Sequence, residues 1–168
     1  DKYKKAFPEG TPLVCACAKG RFEDVKVLIE GHDVNGSGIT VKEYVNQYGK
    51  DSDGDRSAPL MAATDQAVID YLFSILLDGI TRNTNTLTDL YKNAFPNGTP
   101  IVVACEKGRL EDVKLLITGH RDVNGSNGNN NMTLKEYVSQ VGESSGGWSW
   151  TPLCAATDQR IIDYLFSI

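Results

Sequence analysis

Apolar and small residues recur along the chain with the spacing of helices, in blocks that end at glycine. The first block follows Thr11 and Pro12, where a threonine oxygen can accept an unpaired backbone N–H and proline suits the first helical turn. It ends at Gly20, and a second helical pattern then runs to Gly31. We predict two antiparallel helices joined by a tight glycine turn, the second with an apolar face of Phe22, Val25, Leu28 and Ile29.

The same pair of helices returns further along, because the sequence is an internal repeat. Residues 3–75 recur as 91–168 with a period of about 88 residues and roughly two-thirds identity. Each unit also contains a second helix led by proline. Two helices cannot bury a shared apolar face alone, so repeats of this kind form their core by stacking. The four short proline-led helices begin at Pro12, Pro59, Pro100 and Pro152.

A further helix precedes the proline-led pairs. Thr40 with Glu43, and Thr133 with Glu136, have the spacing of a capping box, in which threonine and glutamate each cover a free backbone N–H. Thr86 is expected to begin a similar helix before the third proline-led helix. No segment has the alternation of a strand of useful length.

These patterns predict an all-α fold. We expect an α-solenoid of tandem helical repeats with two units of about 88 residues, each made of two three-helix modules. The units are residues 1–80, with modules 1 and 2, and residues 81–168, with modules 3 and 4, in one continuous solenoid. Residues 65–79 are apolar on almost every side, which predicts a helix packed between neighbours.

The proline-led helices resemble those of the ankyrin repeat family. Thr-Pro-Leu-Val-Cys-Ala at 11–16 and Thr-Pro-Ile-Val-Val-Ala at 99–104 follow the family pattern Thr-Pro-Leu-His-x-Ala. Gly-His-Asp-Val-Asn at 31–35 follows the family's Gly-Ala-Asp-Val-Asn. The resemblance implies stacked helix pairs, with the extra helices in place of the usual inter-repeat fingers. The motif histidine is replaced by Val14, Met61, Val102 and Cys154, and a three-helix armadillo-like stack is the alternative architecture.

Charge and hydropathy narrow the classes of partner. The net charge is −5 and the pI is near 5.0, which disfavours nucleic acid and anionic membranes as partners. No apolar run is long enough to span a bilayer. With 40% hydrophobic residues the chain can bury a continuous core.

The cysteines and the glycosylation sequons point to different compartments. All four cysteines lie on proline-led helices and are expected to be reduced and packed in the core, which favours the cytoplasm: Cys15, Cys17, Cys105 and Cys154. Four sequons would accept glycans in a secreted protein, although most resemble Asn-Gly turns: Asn35, Asn97, Asn124 and Asn131. An extracellular location therefore stays open.

Few residues suggest catalysis. His32 and His120 occupy equivalent positions and are expected to be solvated loop residues. Residues 51–55 resemble the start of a calcium loop, but Ala62 stands where the loop needs glutamate, so we predict a solvated turn. No phosphate-binding glycine loop, zinc spacing or serine elbow is present in the sequence. We predict no enzyme, no metal and no cofactor.

Two functions from different classes fit this sequence. The first is a protein-interaction scaffold, in which six residues are candidate contacts: Lys19, Arg21, Lys107, Arg109, Trp148 and Trp150. The two tryptophans could instead fill a gap between helices. The second function is a structural array, in which further copies of the repeat stack into a fibre or spacer.

From the alignment of the two units we also expect that this sequence is part of a longer tandem array. Ile168 aligns with Ile75, inside an apolar helix of the first unit. We therefore expect the last helix to expose Tyr164, Leu165, Phe166 and Ile168 and to be adhesive.

Overall fold

The computed structural model describes residues 5–6, 8–34, 38–126 and 132–168, with the backbone alone for residues 33, 34 and 121–126. Helices make up most of this described chain and strands very little of it. The chain divides into two compact units, Asp1–Gly79 and Ile80–Ile168. We describe each unit by itself.

The first unit is built around a short helix without a polar face. Helix α1 packs against both α2 and α4, and residues 13–17 are all buried. Helix α5 buries Val68, Ile69, Leu72, Phe73 and Leu76. The elements are α1 (Pro12–Ala18), α2 (Phe22–Val34), α3 (Val41–Asn46), β1 (Gly49–Lys50), β2 (Arg56–Ser57), α4 (Pro59–Ala62) and α5 (Gln66–Leu77).

The second unit repeats this arrangement and begins with one more described helix. Helix α7 packs against α8, α10 and α6, and residues 101–105 are all buried. The elements are α6 (Thr84–Ala94), α7 (Pro100–Glu106), α8 (Leu110–Ser126), α9 (Leu134–Ser139), β3 (Gly142–Glu143), β4 (Ser149–Trp150), α10 (Pro152–Ala155) and α11 (Gln159–Phe166).

The predicted helix starts and the first glycine turn are confirmed. Each proline-led helix begins at its proline, whose fixed φ suits the first turn. Gly20 and its equivalent Gly108 have φ of +61° and +66°, the left-handed conformation that ends α1 and α7. A side chain at Gly20 would also meet Asp65, because its Cβ would lie 3.0 Å from the Asp65 Cβ.

The prediction that Gly31 ends the second helix is wrong. Helix α2 continues to Val34, and α8 continues through Arg121 to Ser126. Gly31 and its equivalent Gly119 do not take a left-handed φ. A Cβ at Gly119 would lie 1.9 Å from Thr84 Oγ1, so this glycine admits the close approach of α6 to α8 rather than a turn.

The two predicted capping boxes are confirmed. Thr40 Oγ1 accepts the Glu43 N–H at 3.2 Å, and Glu43 Oε2 accepts the Thr40 N–H at 2.7 Å. The bond from the Thr40 backbone lowers the pKa of Glu43. Thr133 and Glu136 form the same box.

The helix expected to begin at Thr86 starts earlier. Asn83 is the N-cap of α6, and Thr86 is its reciprocal partner three residues later. The sequence pattern misplaced the start because asparagine and threonine both supply capping oxygens.

Two small β-hairpins were not expected. Strands β1 and β2 pair antiparallel, with Gly49 opposite Ser57, and β3 and β4 pair with Gly142 opposite Trp150. Each strand has two residues, too few to show an alternating pattern. Each hairpin follows directly after one of the extra helices, α3 or α9.

The expectation that every cysteine lies in the core is wrong for one of them. Cys15, Cys17 and Cys105 are buried, whereas Cys154 is exposed. In α10 the core-facing positions are Pro152 and Ala155, three residues apart on one side of the helix, so Cys154 between them points outward.

Helix α11 exposes fewer apolar side chains than expected. Leu165 is buried, as is Ile161 four residues earlier on the same face of the helix, so the expectation that Leu165 is exposed is wrong. Phe166 is 72% exposed, as expected. Tyr164 and Ile168 are partly covered.

Candidate functional site

A threonine fixes each hairpin to a proline-led helix. Thr11 donates its N–H to the Lys50 carbonyl at 2.8 Å, and Thr11 Oγ1 accepts the Lys50 N–H at 3.0 Å. Thr99 makes the same two bonds with Glu143, at 2.8 and 3.0 Å. Neither threonine hydroxyl caps its helix, so the predicted capping role is wrong at these two positions. The hydroxyl instead holds a hairpin strand in register with the helix start.

Glycine makes this close contact possible. A Cβ at Gly49 would lie 2.2 Å from Thr11 Oγ1, and one at Gly142 would lie 2.6 Å from Thr99 Oγ1. Neither distance leaves room for a side chain. Each hairpin therefore depends on one glycine and one threonine in contact.

The two hairpin loops are equivalent in the repeat, but different side chains accept hydrogen bonds from their backbone N–H groups. Asp51 Oδ1 accepts the N–H groups of Asp53 at 2.9 Å and Asp55 at 3.0 Å. In the second hairpin the buried Ser144 hydroxyl accepts the Trp148 N–H at 3.0 Å. The carboxylate of Asp51 thus supports its own loop. Within the described residues, no three His, Cys, Asp or Glu side chains converge as a metal site requires.

The second hairpin has one more attachment. Glu106, the last residue of α7, accepts both the backbone N–H of Ser145, at 2.7 Å, and the Ser145 hydroxyl. Lys107 Nζ lies 3.8 Å from the same carboxylate, and burial lowers the pKa of this lysine despite the nearby charge. The first unit has Ala18 in place of Glu106, so this attachment belongs to the second hairpin.

The second hairpin presents two exposed indoles. The side chain of Trp148 is 70% exposed and that of Trp150 is 44% exposed. Trp148 is too exposed to fill a gap between helices. Beneath the indoles lies a cleft of about 440 Å³, lined by Glu106, Ser144, Ser145, Gly146, Trp148, Trp150, Cys154 and Ala155. We define the indole surface as Trp148, Trp150 and this cleft.

Two of the four basic candidates are not surface residues. Lys19 and Arg21 are exposed, and Arg21 pairs with Asp24 at 3.4 Å. Lys107 is buried and Arg109 is mostly covered. The sequence pattern predicted that both are exposed because they follow a helix end. In the structure Lys107 lies beside the Glu106 carboxylate, and Arg109 donates a hydrogen bond to Asp112. Lys107 and Arg109 are therefore withdrawn as partner contacts.

Arg109 belongs to a buried ionic cluster that the sequence analysis missed. Asp112 is fully buried and accepts bonds from Arg109 Nε at 3.1 Å, from Tyr91 Oη at 2.9 Å and from Arg82. Burial, followed by the Asp112 charge, raises the pKa of Tyr91 well above its usual value. The cluster joins α6 to the start of α8. Only the Arg-x-x-Asp spacing at 109–112 signals it in the sequence.

The two histidines stack on tyrosines. The expectation that they are solvated loop residues is therefore wrong. The His32 ring lies 3.9 Å from that of Tyr44 at an interplanar angle of 2°. His120 and Tyr137 also lie 3.9 Å apart, at 7°. Because each histidine is in the continued part of α2 or α8, the stack holds that helix against α3 or α9. Desolvation raises the pKa of both tyrosines.

Of the four sequons, one has a described side chain. Asn97 is exposed in the turn after α6. Asn35 and Asn131 lie outside the described residues, and the side chain of Asn124 is likewise not described.

Comparisons with known proteins found no matching family model, no matching curated protein and no matching solved structure. Among the described residues, none of the helices has the length and apolarity needed to cross a membrane.

Proposed function

We propose that this chain is a non-catalytic, ankyrin-like repeat scaffold that binds a protein partner through the indole surface. The observation that carries the proposal is the comparison of the two hairpins. Trp148 and Trp150 occupy the places of Asp55 and Ser57, and the loop glycines Gly54 and Gly147 take similar positive φ of +90° and +79°. The hairpin therefore folds in the same way without indoles, so their exposed area serves something other than folding.

The indoles are well suited to a protein interface. Tryptophan supplies a large contact area with few rotatable bonds, and it is enriched among the residues that dominate binding energy. The attachments from Thr99 and Glu106 hold the hairpin before a partner arrives, which lowers the entropy cost of binding.

The proposal is tested by giving the second hairpin the residues of the first. The double variant Trp148→Asp with Trp150→Ser should keep the fold, because the first hairpin has these residues. A matched control, Asp55→Ser with Ser57→Ala, changes only the first hairpin. Affinity capture should lose its specific partner with the first variant and retain it with the control.

Direct binding can be measured without a label, because the chain has two tryptophans and both lie on the indole surface. A captured partner, once purified, should shift the tryptophan emission of the wild-type chain to shorter wavelength as water is excluded. Identical capture by all three proteins, with unchanged emission on titration, would refute the indole surface as the binding site.

A structural array of stacked units is the second candidate function. Equivalent tertiary bonds recur in the two units, including Thr64 Oγ1 to the Ala18 carbonyl at 3.3 Å and Thr157 Oγ1 to the Glu106 carbonyl at 3.1 Å. Units built alike to this level support stacking in series. In chains carrying two, four and six units, stability should rise with each added unit. A constant unfolding midpoint would contradict the array.

A further inference from the structure

The cleft beneath the two indoles has a carboxylate in its lining. Of the described residues that line the cleft, Glu106 and Cys154 are ionisable and none is basic. The Glu106 side chain is 28% exposed. Lys107 Nζ lies 3.8 Å from the Glu106 carboxylate, but Lys107 is buried and does not line the cleft. A group that enters the cleft therefore meets a negative charge.

This carboxylate is held in position by the hairpin. Its two oxygens accept the backbone N–H of Ser145, at 2.7 Å, and the Ser145 hydroxyl. An ionised carboxylate offers about four acceptor positions, so Glu106 can also accept hydrogen bonds from a donor in the cleft.

The two indoles lie on the same side of the second hairpin. Trp148 and Trp150 are two residues apart at the start of β4, where alternate side chains share a face. Both side chains line the cleft. The Trp148 ring also lies against the hairpin loop, because a Cβ at Gly146 would be 3.3 Å from Trp148 Cδ1. The cleft thus combines two aromatic faces with one carboxylate.

We propose that the indole surface binds an arginine side chain in a basic segment of the protein partner. The inference rests on the proposed function and names the chemistry that the partner presents. A guanidinium group stacks on an aromatic face and donates hydrogen bonds in its own plane, so it can contact an indole and the Glu106 carboxylate together. A lysine ammonium is a more strongly hydrated point charge and lacks the planar face. The cleft, of about 440 Å³, has room for one such side chain.

The charge of the whole chain favours the same kind of partner. A net charge of −5 attracts a basic segment and raises its rate of association. Salt screens this attraction, so binding should weaken as salt is added. An apolar side chain between the indoles would not lose affinity in this way.

The test titrates the chain with three peptides that have blocked ends: hexa-arginine, hexa-lysine and hexa-citrulline. Citrulline has nearly the shape of arginine but no charge. Both tryptophans of the chain line the cleft, so tryptophan emission reports its occupancy. Hexa-arginine should change the emission to saturation, and less readily at high salt. Hexa-lysine should bind at least about threefold more weakly, and hexa-citrulline should give no response.

Two matched variants separate the carboxylate in the cleft from the charge of the whole chain. Glu106→Gln and Glu143→Gln each remove one negative charge from the net −5. Glu143 pairs with Ser149 in the hairpin, so its side chain is on the face opposite to the indoles. Glu106→Gln should weaken hexa-arginine binding at least about fivefold, and Glu143→Gln less than about twofold.

A third variant removes the aromatic faces without changing the charge. Calorimetry should detect no binding of hexa-arginine to the Trp148→Ser, Trp150→Ser chain. Helix content and the thermal midpoint check that each variant is folded. If Glu106→Gln loosens the hairpin, the citrulline and salt comparisons on the wild-type chain still decide the question.

Several results would overturn the inference. Equal binding of hexa-arginine and hexa-citrulline would do so, as would equal affinity of the two glutamine variants or the absence of a saturable response to hexa-arginine. Partner capture that requires the indoles but is unaffected by Glu106→Gln would also overturn it, and would leave the scaffold function standing. Capture that does not require the indoles would instead refute the proposed function, so the two failures can be told apart.

Discussion

The hydroxyl oxygen of Thr99 accepts the backbone N–H of Glu143 at 3.0 Å, across 44 residues of sequence. Together with the bond from the Thr99 N–H to the Glu143 carbonyl, it joins the start of α7 to β3. A residue that sequence rules assign to helix capping thus makes a tertiary contact. This contact fixes the hairpin that carries the two indoles.

Removing that hydroxyl should loosen the second hairpin. Thr99→Val keeps the shape of the side chain but leaves the Glu143 N–H without its acceptor, and we expect a loss of about 1 kcal/mol in the free energy of unfolding. Thr99→Ser, which retains the oxygen, should lose less. Urea unfolding measures both, and equal midpoints for the two variants would show that the hydroxyl contributes nothing.

Substitution of the buried Asp112 should lower the free energy of unfolding more than most substitutions in the second unit. Asp112→Asn leaves the Arg109 and Arg82 guanidinium groups without their negative partner, and breaking a buried ion pair costs about 3 kcal/mol or more. The control is Asp24→Asn in the first unit, where the equivalent carboxylate is partly exposed and pairs with Arg21. We expect a loss below about 1 kcal/mol there, as for surface pairs. Comparable losses at both positions would contradict the importance of burial.

The four thiols should differ in reactivity. In the native chain only Cys154 is exposed, so a thiol reagent should react rapidly with one group, and with all four after unfolding. Cys154→Ser should abolish the rapid phase. If this phase persists in that variant, one of the helix-buried thiols opens to solvent on the timescale of the reaction.

Two buried thiols predict a loss of stability in alkali. Burial raises the pKa of Cys17 and of Cys105 to about 12, from an ordinary value of 9.0. Above pH 9 the unfolded chain releases these protons while the folded chain retains them, so unfolding is favoured as pH rises from about 9 towards 12. Stability from this source is fully present below pH 9. In urea unfolding across this range, the Cys17→Ala, Cys105→Ala variant should show a shallower decline than wild type.

The start of α4 offers a stabilising substitution. Ala58 precedes Pro59 and provides no capping oxygen, whereas its equivalent Thr151 accepts the Cys154 N–H at 3.2 Å. Ala58→Ser should raise the free energy of unfolding by about 0.5 to 1 kcal/mol, and Thr151→Ala should lower it by a similar amount. Serine is preferred to threonine because Ala58 is itself buried. A neutral effect of both substitutions would show that these caps are solvated.

Local chemistry explains what the sequence could predict. Proline starts, the left-handed Gly20 and the Thr40 to Glu43 capping box each depend on residues within one turn of one another, so their spacing in the sequence is their spacing in space. The burial of residues 13–17 likewise follows from an unbroken run of apolar and small residues.

The rest depends on partners far along the chain. The Thr11 hydroxyl oxygen could cap α1 or accept a bond from a strand. It accepts the Lys50 N–H, 39 residues away, which the local sequence does not reveal. Arg109 looks like a solvent-facing cation until Tyr91 and Asp112 are seen together. For the indole surface, the pattern identified both tryptophans as candidates. Their exposure depends on the hairpin, and strands of two residues are too short to be predicted from the sequence pattern.

The first helix has a consequence for how the unit opens. Because residues 13–17 have no solvent side, α1 cannot detach without exposing α2 and α4, against which it packs. We therefore expect α1 not to fray from one end but to open together with α2 and α4 in one concerted step. Amide hydrogens of α1 should exchange with deuterium only at the slow rate of this joint opening, and together with those of its two neighbours.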